Sequence, residues 1–195
     1  MGVNPLLTMA KSESASPVVL ILASGRGERF LASGGSGSKL QALLAGRPVL
    51  DWTLEAVKAC GLPWHLEDAG HAGMGDSIAA AVAAAREAGG WLVLPGDLPL
   101  VRPQSLRAVA AALATHAVVL PRHLGQRGHP VGFDASCREA LLKLRGPQGA
   151  QEVVRAQAAA GRVLELDLDD AGVVTDIDTL QDLRAAEQAL SARSP

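Results

Sequence analysis

The chain contains no tyrosine, only two phenylalanines and only three tryptophans. It therefore lacks the aromatic platforms on which single-stranded nucleic acid stacks. Charge of one sign is also missing. The formal net charge is -2, which gives no general pull toward nucleic acid or an anionic membrane. Cysteine is scarce: Cys60 and Cys137 stand alone, with no CxxC pair and no zinc spacing, so two reduced, buried thiols are expected. No apolar run approaches the ~18 residues that a membrane span needs. Met1 to Pro17 carry no hydrophobic stretch of the secretory kind. Residues 1–17 are predicted to be a disordered tail, with Met9 as an alternative start, and the compartment is expected to be the cytoplasm.

What is present is apolar and aliphatic. Hydrophobic residues make up 48% of the 195 and charged residues 19%, enough for one core built from Ala, Leu and Val. Short apolar runs alternate with amphipathic stretches. Strands are predicted at Val18 to Leu22, Trp64 to Leu66, Trp91 to Leu94, Ala117 to Leu120, Pro130 to Phe133, Val163 to Leu168 and Val173 to Val174. Helices are predicted at Val49 to Lys58, Asp76 to Ala88, Gln104 to Thr115, Ser136 to Leu144, Gln148 to Ala160 and Thr179 to Leu190. This alternation predicts an α/β fold with a mostly parallel sheet covered on both faces, as a single domain over 18–192. In such sheets ligands bind outside the carboxyl ends of the strands, so the segments after the strands carry the candidates for function.

The first strand ends in Leu22-Ala-Ser-Gly-Arg-Gly-Glu-Arg29-Phe30. Gly25 and Gly27 permit a tight turn and close approach of a ligand. Arg26, Arg29 and the later Lys39 are cations suited to a polyphosphate. The glycine-serine run Ser33 to Ser38 reads as a mobile loop over a site. Walker A chemistry is excluded, because Lys39 has no Gly before it and no Ser or Thr after it. The dinucleotide fingerprint fails at Phe30, where a small residue is required. No Gly-x-Ser-x-Gly nucleophile elbow occurs.

Four later segments complete the candidates. Pro95-Gly-Asp97-Leu-Pro99 places a carboxylate after a strand, where it can hold Mg²⁺ alongside substrate phosphates. Asp176 and Asp178 flank Ile177 and share one face if the segment is extended. Asp176 is the candidate second metal ligand, and Asp178 is assigned mainly to capping the closing helix, with Thr179 as the alternative cap. Gly73-Met-Gly75-Asp-Ser77 opens a helix whose free N–H groups suit an anion or a polar ligand edge. Gly125-Gln-Arg127-Gly-His129-Pro130 offers Arg127 and His129 to an anionic group.

Taken in order, these motifs resemble the signature of the MobA-like NTP transferases, and most closely that of the molybdenum cofactor cytidylyltransferases. The resemblance runs from about Val18 to Leu190. It implies a three-layer, Rossmann-like fold of the GT-A type. It also implies transfer of CMP or GMP from an NTP to molybdopterin with release of pyrophosphate. In that reading Arg29, Lys39 and Asp97 are the catalytic set. Leu22, Ala23, Ser24, Gly25, Arg26, Gly27, Asp68, Gly75 and Ser77 join Arg29 and Lys39 around the nucleotide. Asp97 and Asp176 take Mg²⁺, and Arg127 and His129 meet the acceptor. Arg127-Gly-His-Pro130 and Gly73-Met-x-x-Ser77 favour CTP over GTP, while Ser24 stands where the cytidylyl branch usually has Ala. The segment 62–73 is shorter than in the family, Arg145-Gly-Pro-Gln-Gly149 replaces the usual Gly-Asp-x-Gly, and Leu180 replaces a common Pro. A sugar-phosphate or alcohol-phosphate acceptor is the alternative within the enzyme class. A non-catalytic partner of a molybdoenzyme is the alternative outside it.

Overall fold

Residues 15–25 and 27–193 are described by a computed structural model. In chain order the strands are β1 (Val18–Leu22), β2 (Leu43–Leu44), β3 (Arg47–Pro48), β4 (Trp64–Glu67), β5 (Gly90–Pro95), β6 (Val118–His123), β7 (Gln126–Arg127), β8 (Val131–Asp134) and β9 (Val163–Asp167). The helices are α1 (Glu28–Ala32), α2 (Val49–Cys60), α3 (Met74–Ala84), α4 (Pro103–Ala112), α5 (Arg138–Leu142), α6 (Gln151–Ala159) and α7 (Leu180–Arg193). Of the expected tail, residues 1–14 lie outside the described residues, as does Arg26.

One sheet runs β4-β1-β5-β8-β6-β7, with β9 paired to β6. The pairs β1–β4, β1–β5 and β6–β9 are parallel. Alternate side chains of the central strands feed opposite cores, because successive residues of a strand point to opposite faces. Val19, Ile21, Leu92, Leu94 and Val119 pack with α2 and α4. Leu20, Trp91, Val93, Val118 and Leu120 pack with α3, α5 and α6. A third, smaller cluster seats α7 through Ala186 against Phe30, Val49, Leu100 and Ile177. Helix, sheet, helix is thus the layer order that the alternating pattern predicts. Both cysteines are buried and free, as expected.

Several elements differ from the sequence-based expectation. β8 is antiparallel to both β5 and β6. This orientation starts β8 at the carboxyl end of β5, where Val131 faces Val93. α3 stops at Ala84 rather than Ala88. There the carbonyl of Ala85 is taken by the Trp91 indole N–H (3.0 Å) and by Ala88 N–H (3.2 Å). The expected strand at Val173-Val174 is a 3₁₀ turn over Ala171–Val174. Buried Asp170 caps that turn, accepting from Gly172 N–H (2.9 Å), Arg102 N–H (2.9 Å) and the Ser105 hydroxyl (2.6 Å). The expected helix at Ser136 to Leu144 divides into a 3₁₀ turn, Ala135–Cys137, and α5.

The glycine-serine loop makes contacts at its two ends and in its middle. The Ser33 hydroxyl donates to the Phe30 carbonyl (2.8 Å) and accepts from Leu180 N–H (3.0 Å). Gly35 lies flat on Phe30, where a Cβ would come within 2.3 Å of the ring. Ser38 caps the 3₁₀ turn that presents Lys39, accepting from Leu40 N–H (3.3 Å).

Candidate active site

The carboxyl ends of β4, β1 and β5 open onto a cleft of about 340 Å³. Leu22, Ser24, Gly25 and Lys39 line it on one side, with Pro95, Gly96 and Asp97 beyond them and His71 to Met74 opposite. The two strand-to-loop turns are stitched together. Gly96 N–H donates to the Leu22 carbonyl (2.9 Å), and Ala23 N–H donates to the Glu67 carbonyl (2.8 Å). From α2, buried Thr53 donates its hydroxyl to the Gly96 carbonyl (3.0 Å), fixing the turn that carries Asp97. Gly25 has a negative φ and, chain neighbours aside, no atom of the described residues within 4 Å of where a Cβ would stand. Its open side belongs to the cleft, not to the packing of the protein. Gly27, by contrast, needs its left-handed backbone (φ 62°) to start α1.

At one end of the cleft, charges gather from three distant parts of the chain. The Lys39 ammonium bonds to Asp178 Oδ1 (2.8 Å) and also to Asp97 Oδ2. Arg29, mostly exposed, reaches Asp178 Oδ2 at 2.6 Å. Burial pulls Lys39 toward the neutral form, but the carboxylates of Asp97 and Asp178 outweigh it and raise its pKa above 10.5. Burial also lifts Asp178, yet its bonds to Lys39 and Asp176 and the charges of Lys39 and Arg29 hold it below the usual aspartate value. Asp176 is pushed up, first by partial burial and then by the carboxylates of Asp178 and Asp97. Asp97 is 8% exposed, and its Oδ1 is buried with no hydrogen-bond partner among the described residues.

The structure therefore brings together Arg29, Lys39, Asp97 and Asp176, and it adds Asp178. Asp178 does not cap α7. That role belongs to Thr179 and Asp182: Thr179 N–H and hydroxyl donate to Asp182 Oδ2 (both 2.8 Å), and Asp182 N–H donates back to Thr179 Oγ1 (3.2 Å). Ser24 and Ser77 meet across the cleft wall, their hydroxyl oxygens 2.8 Å apart.

Other expected residues fall elsewhere. Gly75 is buried against the backbone of Arg145, where a Cβ would come within 2.9 Å, and its N–H donates to the Gly146 carbonyl (2.8 Å). It is a packing glycine and does not line the cleft. Asp76 serves the same junction, accepting from Gly146 N–H (2.9 Å). Ala23 spends its amide on Glu67, and Asp68 is exposed outside the cleft. The residues missed in that region are Glu67 and His71. Glu67, 7% exposed, accepts from His71 Nε2 (3.0 Å) and Ala69 N–H (3.2 Å), with His65 Nε2 at 3.5 Å. Burial lifts its carboxyl, but the Ala69 N–H and the two histidines hold it below the ordinary glutamate value.

Arg127 and His129 line a neighbouring cavity of about 490 Å³ that shares Met74 with the cleft. Arg127 is exposed and ion-paired with Glu165 (Nε 2.8 Å from Oε1). His129 N–H donates to the Val173 carbonyl (2.8 Å). Burial pushes its imidazole toward the neutral form against the opposing effects of the Val93 backbone and the Asp97 charge.

Solved structures share this architecture. A nucleotidyl transferase from Methanothermobacter thermautotroptrophicus (Mth528) superposes with a TM-score of 0.76 at 19% identity, covering 91% of this chain and 99% of that one. Rv0371C from Mycobacterium tuberculosis H37Rv, solved in complex with manganese, gives 0.68 at 22% identity, covering 90% and 100%. The fold is that of the Rossmann-like α/β nucleotidyltransferases. In sequence, the purine catabolism protein PucB of Bacillus subtilis (strain 168) is 31% identical over 122 residues, 61% of this chain; the aligned part spans only 58% of PucB. The MobA-like NTP transferase domain model matches residues 55–162, more than half of the chain. The chain belongs to the MobA-like NTP transferase family.

Proposed function

We propose that this protein transfers CMP from CTP to the terminal phosphate of a molybdopterin-type acceptor and releases pyrophosphate. The observation that carries this reading is the convergence of Lys39, Asp97, Asp178 and Arg29 at one end of a cleft whose wall is open at Gly25. A phosphate oxygen of the acceptor attacks the α-phosphorus, the bond from that phosphorus to the bridging β-oxygen breaks, and pyrophosphate leaves with the electron pair. Such a transfer needs in-line placement and charge stabilisation more than an acid or a base. Lys39 and Arg29 supply positive charge to the triphosphate, and Lys39 does so from a largely buried position where water screens it little.

The donor set suits a hard divalent cation. Asp97 offers a buried oxygen with no partner among the described residues, and the Asp176 carboxylate is close enough to feel its charge. Among the described residues no three His, Cys, Asp or Glu side chains form a ready-made cage. Mg²⁺ needs none, because it is held by one or two carboxylates together with substrate phosphates. Bound by Asp97 and Asp176, the metal supplies charge neutralisation on the triphosphate. The manganese in Rv0371C supports a divalent ion at this kind of fold.

The cavity next to the cleft, with Arg127 at its rim and His129 in its wall, supports an anionic acceptor approaching from the β8 side. The cytidylyl-type motifs at Gly73 to Ser77 and Arg127 to Pro130 favour CTP. Pyrophosphate release tests the reading: purified protein with Mg²⁺, molybdopterin and either CTP or GTP is expected to release it faster with CTP, and Asp97→Asn to abolish it. Release that equals the Asp97→Asn background overturns the transferase reading. Release only with a sugar phosphate or an alcohol phosphate overturns the acceptor.

A further inference from the structure

His71 sits at the opposite end of the cleft from the charged cluster. The strand order β4-β1-β5 places the loop after β4 on one side of the β1 turn and Asp97 on the other. Neighbouring strands are about 4.8 Å apart, so the two ends are separated by roughly 10 Å. That is about the reach of a nucleotide from its phosphates to the far edge of its base. On the reading that the triphosphate lies at Lys39 and Asp97, the base comes to the His71 end.

The ring of His71 is held in one orientation. Glu67 is buried, stays ionised and can only accept, so His71 Nε2 carries the hydrogen of their 3.0 Å bond. Ala69 N–H shares Oε1 with His71, and the His65 ring stands 3.5 Å from Oε2. Nδ1 is then the second polar atom of a residue that lines the cleft. In the neutral ring it is an acceptor. We propose that His71, positioned by Glu67, is a base-reading residue that selects a nucleobase with an amino group on its pairing edge over one with an oxo group there. Cytosine presents the amino group that satisfies the Nδ1 lone pair. Uracil presents a carbonyl, whose lone pairs oppose it. A site built around a polar partner rejects an analogue that leaves that partner unpaired.

The inference rests on the nucleotide reading above, and the test separates the two. Calorimetric titration of wild type and His71→Ala with Mg²⁺ complexes of CTP, UTP and inorganic tripolyphosphate is the experiment. Wild type is expected to prefer CTP to UTP by about 10-fold or more. His71→Ala is expected to reduce that preference to less than ~3-fold while binding tripolyphosphate as wild type does, which also shows that the variant is folded. Glu67→Gln, whose amide oxygen still accepts from Nε2, is expected to retain more of the preference than Glu67→Ala. An unchanged preference in His71→Ala, or none in wild type, overturns the role of His71. Failure of wild type to bind any of the three overturns the nucleotide reading instead.

Discussion

Lys39 neutralises two carboxylates at once, one from the β5 turn and one from the segment before α7. Removing it has two opposite effects. Lys39→Met is expected to lower turnover more than ~10-fold, because the triphosphate loses a cation where charge develops. The same change leaves Asp97 and Asp178 without their resident ammonium, so binding of Mn²⁺ in the absence of nucleotide, measured by electron paramagnetic resonance, is expected to tighten. Unchanged or weaker binding would show that Lys39 does not compete with metal there. Glu67 gives a pH-dependent counterpart. Its folded pKa lies below 4.5, so the stability it contributes is present above that value and is lost as pH falls through the folded pKa. The drop in melting temperature between about pH 5 and 3 is therefore expected to be shallower in Glu67→Gln than in wild type. At this scale the sequence pointed to Lys39, Asp97 and Ser77, and the fold brings all three to the wall of the cleft. It was misleading for Asp178: a carboxylate just before a helix looks like a cap, and its partner Lys39 lies 139 residues away. It was silent on Glu67 and His71, whose pairing depends on how the loop after β4 turns.

Two elements position the charged cluster. α7 begins at the Thr179–Asp182 reciprocal cap, and this cap sets the direction in which Asp178 leaves the helix. Thr179→Ala is expected to cost about 1 kcal/mol, since a lost N-cap leaves helix N–H groups unsatisfied. For a chain of this size, that is a fall in melting temperature of about 2–4 °C, readable by calorimetry. No change would mean that the cap is replaced by water or by a neighbour. α2 holds the other side through the Thr53 hydroxyl on the Gly96 carbonyl. Thr53→Val keeps the shape but leaves that buried carbonyl unpaired, at about 1–3 kcal/mol, and is expected to lower turnover as well as stability. Gly75 of α3 shows why element reading fell short. It looked suited to a ligand, yet a Cβ there would strike the backbone of Arg145. A glycine that admits another stretch of backbone cannot be told from one that admits a ligand until the partner is in place.

At the scale of the molecule, the alternation of apolar runs and helices led to the right layers and to the carboxyl edge as the place to look. It could not reveal that β8 is inserted antiparallel between β5 and β6, since strand order is set by long-range pairing rather than by local pattern. That insertion carries His129 to the same edge as Asp97, with Arg127 at the end of β7 ahead of it, and places a second cavity beside the cleft. The arrangement as a whole rests on a metal-bound triphosphate lying between the β1 turn and Asp97. Bound Mn²⁺ measured by electron paramagnetic resonance in the presence of CTP addresses this most directly. Wild type should hold about one nucleotide-dependent Mn²⁺ per chain and Asp97→Asn should lose it; equal, nucleotide-dependent binding in both proteins would contradict the placement of the metal and of the triphosphate with it.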